Sequence, residues 1–143
     1  MEELSALRHC LENRDYEAAL RIVEEMEEMS REDKINKIGS FIKVLLIHLI
    51  KQYAEKRTTR SWEASIFNAL FEIRKTNNRR KSGGNYMSDA EMLESIEAHY
   101  PAALRYAALE AFGGRYDEAE VEQLFSVDEL KQAALDMIAG DFS

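Results

Sequence analysis

Three histidines and one cysteine are the side chains of this sequence best suited to ligate metal or act as nucleophiles, and their spacing limits what they can do together. His9-Cys10, His48 and His99 stand far apart, without the convergent His, Cys, Asp or Glu spacing that a metal site needs. No metal and no cofactor is expected. Adjacent side chains on a helix diverge by about 100°, so His9 is badly placed to activate Cys10, which reads as a partly buried structural thiol. Gly83-Gly84 is no phosphate loop, because it lacks the strand before it and the lysine-hydroxyl pair after it.

His48 is the most informative single residue. It lies in an apolar run, Val44-Leu45-Leu46-Ile47-His48-Leu49-Ile50, yet projects away from the main apolar arc at helical spacing. Lys37, Lys51, Gln52 and Glu55 share its side, which gives this helix a polar seam. The simpler reading is a histidine held by a carbonyl or carboxylate. The sharper one gathers His48, Lys51 and Arg60 into an anion pocket walled by Trp62, with Glu24 or Glu25 supplying a carboxylate and His48 acting as general base. Whether the chain is an enzyme is left open by these residues.

A second charged group, Arg74-Lys75 with Arg79-Arg80-Lys81, could contact phosphates. No aromatic side chain interleaves with it for base stacking, and its acidic flanks would repel nucleic acid. A solvated basic loop, mobile over residues 76–87, is the favoured reading.

The elements that position these groups are helices. One proline and six glycines leave few turn clusters, and the composition favours helix formers, so the fold class is all-α, a bundle of about six to seven helices. Leu4, Leu7 and Leu11 predict a first helix ending near Glu12, after which Asp15 caps a second, acidic helix. Ser30-Arg31-Glu32-Asp33 resembles a capping box and predicts a fresh start for a central buried helix from about Arg31 to about Tyr53. Thr59 caps the helix that begins with Trp62. Ser88-Asp89-Ala90-Glu91 opens another, Pro101 is expected to restart the chain as a first-turn proline, and Gly113-Gly114 to stop it. Ser126 caps the last helix. The similarity between Asp15-Tyr16-Glu17-Ala18-Ala19-Leu20 and Arg115-Tyr116-Asp117-Glu118-Ala119-Glu120 is no solenoid repeat, because no matching first helix precedes either copy.

At 143 residues the chain suits one domain with an adequate core. A single cysteine excludes an internal disulfide, the acidic start does not read as a signal peptide, and the apolar run is too short to cross a bilayer. A cytoplasmic protein with no membrane association is expected. Charge is segregated. Residues 1–33 carry 4 basic and 11 acidic side chains, residues 34–81 carry 12 and 3, and residues 82–143 carry 3 and 13, for net charges of −7, +9 and −10. Such a basic middle can fold back on the acidic ends or meet an anionic partner.

Three segments together carry a resemblance. Ile22-Val23-Glu24-Glu25-Met26-Glu27, the Val44 to Lys51 run, and Arg60-Ser61-Trp62 with Ile66 resemble the bacterial domain-of-unknown-function family numbered twenty-nine over about residues 20–75. The arginine-rich continuation after Trp62 is mostly replaced here. The resemblance implies a helical bundle in a bacterial cytoplasm, with Glu24, Glu25, His48, Lys51, Arg60 and Trp62 at family-patterned positions, and implies no activity. The expectation is a non-enzymatic interaction module with a protein partner, a second copy of itself included. The alternatives are a small-molecule or anion site around His48, and nucleic-acid binding through 74–81.

Overall fold

The computed structural model describes residues 2–79 and 83–140. Among the described residues six α-helices follow in order: α1 (Glu2–Glu12), α2 (Tyr16–Glu55), α3 (Arg60–Asn77), α4 (Asp89–Glu110), α5 (Glu118–Glu122) and α6 (Val127–Ala139), with a 3₁₀ turn at Ala111–Gly114. Among the described residues there is no strand, only an isolated antiparallel bridge between Asn78 and Asn85. The all-α expectation holds.

Two expected helix boundaries do not exist. Ser30 lies inside α2, which runs unbroken for 40 residues, about 60 Å at ~1.5 Å per residue. The Ser-x-x-Asp pattern fails as a cap because no glycine or proline stands near it and strong helix formers continue on both sides. Pro101 likewise sits within α4. A proline removes one backbone hydrogen bond and crowds the preceding turn, which costs about 3 kcal/mol. Here the buried stripe of Met92, Ile96, Tyr100, Ala103, Leu104 and Ala107 keeps its helical phase across the proline, so burial on both sides holds the helix together.

The caps read from sequence at Asp15, Thr59, Ser88 and Ser126 all form, each side-chain oxygen accepting a backbone N–H of the first turn. At Ser88 the reciprocal bond from the Ser88 N–H to Glu91 Oε1 completes the capping box. α2 ends where Lys56 adopts a left-handed conformation (φ 55°, ψ 41°).

Cross-helix pairs give the register of the bundle. Lys37 meets Glu72 and Lys51 meets Trp62, so α3 runs antiparallel to the C-terminal half of α2. Arg31 meets Glu91, Lys43 meets Tyr106 and Lys51 meets Glu110, so α4 runs parallel to the same half. Gly39 is what lets α2 and α4 approach: a Cβ there would lie 2.6 Å from His99 Cε1. The core fills this three-helix layer with Ile38, Ile42, Leu45, Leu49, Ile73 and Ile96, and α6 closes it with Leu130, Ala134 and Ile138. Asn77, buried at the end of α3, fixes the following link by accepting from Met87 N at 2.8 Å and donating to Met87 O at 3.3 Å. α3 thus runs through to Asn77.

The same register leaves part of α2 outside the layer. Arg31 is the first residue tied to α4, and α3 ends beside the residues just after it. Tyr16 to Ser30, about 22 Å of helix, therefore lies beyond the ends of α3 and α4; α1 packs against it, and Glu24, Glu27 and Glu28 share a cavity with Arg79 and Tyr86 of the α3–α4 link.

Candidate functional site

Two features stand out: a buried cation cluster where α2, α3 and α4 meet, and the α1–α2 arm.

In the cluster, Lys51 lies on the polar seam of α2, one turn after His48. Its side chain is only 8% exposed, and Nζ donates to Glu110 Oε2 at 2.6 Å. The same ammonium lies 5.1 Å from the centre of the Trp62 ring, and the Arg57 guanidinium lies 4.7 Å from it, so two cations share one indole. Thr59 places that indole by accepting from Trp62 N at 3.1 Å. Glu55 Oε1 accepts from Arg57 Nε at 3.0 Å, and its Oε2 accepts from Phe112 N at 3.4 Å, which ties the turn after α4 to the end of α2. Lys51 and Trp62 are in contact, and His48 feels the charges of Lys51 and Glu110.

His48 Nδ1 is buried and meets no hydrogen-bond partner among the described residues. Burial first, and then the Lys51 charge, hold this imidazole below its ordinary range, while Glu110 pulls the other way. The cluster thus holds a buried amine hydrogen-bonded to a carboxylate, beside a histidine whose Nδ1 has no hydrogen-bond partner among the described residues.

Other expected members lie elsewhere. Glu24 and Glu25 are exposed on the same helix as His48, about 36 Å away along a straight axis. They could have met His48 only if α2 had broken at Ser30. The carboxylates that do come are Glu110 and Glu55. Arg60 is exposed at the start of α3. Glu110 was missed from sequence, although an acidic residue closing a helix opposes the helix dipole and so signals a cationic neighbour.

The basic 74–81 segment is divided. Arg74 Nε donates to Ile138 O at 3.2 Å and Nη2 to Met137 O at 2.5 Å, which satisfies carbonyls at the end of α6. Lys75 lies 6.0 Å from the Phe71 ring centre and Arg79 5.4 Å from that of Tyr86. Arg80 and Lys81 lie outside the described residues. No group of three His, Cys, Asp or Glu side chains able to hold a metal occurs among the described residues.

The arm was not read as a site from sequence. α1 has an apolar stripe at helical spacing but contains no buried residue. Leu7 and Cys10 are half-buried, and opposite them on α2 stand Ala19, Ile22, Val23 and Met26. Flanking this seam, Leu4 is 46% exposed, Leu11 50% and Leu20 61%, with Tyr16 and Met29 also open. Among the described residues no helix is long and apolar enough to cross a membrane.

The model of a family described as "Domain of unknown function DUF29" matches residues 4–131, spanning the arm, the three-helix layer and the start of α6. No curated protein matches. No solved structure matches either.

Proposed function

The chain belongs to the DUF29 family, whose description carries no activity, and from its geometry we propose that it is a non-enzymatic protein-interaction module of the bacterial cytoplasm that works through the α1–α2 arm. The observation that carries this reading is α1 itself, an 11-residue helix with an apolar stripe and no buried residue. An isolated helix of that length is marginal in water, and one packed only against a projecting partner gains little apolar burial. Burying the flanking leucines against a partner would contribute about 25 cal/mol per Å² of apolar surface removed from water.

The cation cluster supports the same reading. Lys51 is shut away and engaged by Glu110 and Trp62, and the carboxylates expected to complete a site with His48 stand far off on the arm. The cluster is a structural joint that locks the C-terminal ends of α2 and α4 to the start of α3.

The test is site-specific photocrosslinking of the full chain in its native host. A photoreactive residue at Leu4 or Leu11 should give a discrete, high-yield adduct, and one at exposed Gln132 on α6 should not. Equal labelling at all three positions, or none from the arm, would sink the proposal.

A further inference from the structure

Resting on that reading of the arm, we infer that the partner is a second copy of this chain, and that each arm of a two-fold dimer lies along the outer face of α3 of the other copy. Two surfaces of one molecule match each other in chemistry and in length.

The first is the arm. Its exposed leucines are bordered by Glu2, Glu3, Glu12, Asp15 and Glu17, with Arg8 paired to Glu12 among them, within a 33-residue segment of net charge −7. The second is α3. Projected at 100° per residue, Arg60, Ala64, Phe67, Phe71 and Lys75 fall within one narrow arc, and all five are exposed. Phe71 is 48% exposed. This stripe is aromatic in the middle, with Arg60 at one end, where Glu63 lies beside it, and Lys75 at the other, the counterpart of an apolar seam with a predominantly acidic border.

Pairing arm with arm would bring two segments of net charge −7 together, which opposes association. Arm on α3 brings unlike charges together instead. The lengths are compatible as well: the stretch of α2 before the layer, about 22 Å, fits within the 18 residues of α3, about 27 Å. Because the arm continues α2 past the end of α3, a two-fold axis near the middle of α2 sets each arm beside the other copy's α3. The contact is isologous and closes on itself, so it gives a dimer and not a fibre. A standard interface needs roughly 800 Å² per partner, under a tenth of the 9417 Å² surface of the chain.

The experiment is sedimentation equilibrium on the full chain, with two exposed-site variants checked for native helicity by circular dichroism. The wild type is expected to be a dimer at about 100 μM, corresponding to a dissociation constant in the micromolar range. Leu4→Glu/Leu11→Glu removes the arm, Phe71→Glu removes its receptor, and each should be monomeric alone. Mixed, they should form a one-to-one heterodimer, because one intact arm then meets one intact α3. Dissociation should also rise between about 50 mM and about 500 mM salt, as screening weakens the unlike charges.

A monomeric wild type would overturn the inference, as would a dimer indifferent to Phe71→Glu or a mixture that stays monomeric. A wild-type monomer that still crosslinks through Leu4 to a different protein would remove the second copy as partner while leaving the interaction role standing. A monomer with no arm adduct would remove both.

Discussion

The Lys51–Glu110 pair is unequal, and the inequality can be measured. Lys51 is 8% exposed at its side chain and Glu110 58%. Glu110→Ala leaves an ammonium buried against Trp62 without its carboxylate, and losing a charged hydrogen bond to a buried group costs about 1.5–3 kcal/mol. Some of this is returned, because Glu110 is the last residue of α4, where a negative charge opposes the helix dipole by about 0.3–1 kcal/mol. The net loss should be about 1.5 kcal/mol, or roughly 6 °C in Tm for a chain of this size. Lys51→Met keeps most of the buried stem and leaves a carboxylate that water still solvates. Its cost should stay under about 1 kcal/mol, mainly the cation–π contact. The double variant should be more stable than Glu110→Ala alone, since no charge is then stranded. Thermal and urea unfolding followed by circular dichroism would measure all three. If Lys51→Met proves more damaging than Glu110→Ala, or the double variant is the worst, the cluster is not a buried cation held by a solvated acid.

Two further predictions concern the same layer. Gly39→Ala should lower stability by about 1–3 kcal/mol through overpacking, because its Cβ would meet His99 Cε1 at 2.6 Å. Combining it with His99→Ala should recover much of that loss in urea unfolding, and an additive double variant would refute the contact. For His48, the folded-state pKa is depressed below 6.5, so the unfolded chain binds the extra proton first. Stability from this group is therefore present above about pH 6.5 and is lost as pH falls from there towards the folded pKa. Unfolding free energies between about pH 7.5 and pH 5 should fall more steeply for the wild type than for His48→Gln, and parallel profiles would contradict the burial argument. The capping carboxylate Glu91, also depressed, acts in a lower window, below its ordinary 4.5.

The local chemistry of this chain was legible without coordinates. Asp15, Thr59, Ser88 and Ser126 cap helices because a short polar side chain before an apolar period satisfies orphan N–H groups within one turn, a matter of three or four residues. The apolar arc through Ile38, Ile42, Leu45 and Leu49 marked the core for the same reason, since periodicity is a property of sequence. Membership of the family was readable from three segments, and the matched region proved to extend over residues 4–131.

What local pattern could not decide was whether a helix continues. A Ser-x-x-Asp pattern and a proline each offer a boundary worth a few kcal/mol at most, and burial on both sides of Pro101, like unbroken helix propensity around Ser30, outweighs it. That single outcome at Ser30 moved Glu24 and Glu25 about 36 Å from His48, and the carboxylate that meets Lys51 is instead Glu110, 59 positions away. It also made the arm. Leu4 and Leu11 look like core in sequence, because periodicity reports which face of a helix is apolar; only the packed structure reports whether anything covers it, and among the described residues α1 packs chiefly on α2 and buries no residue.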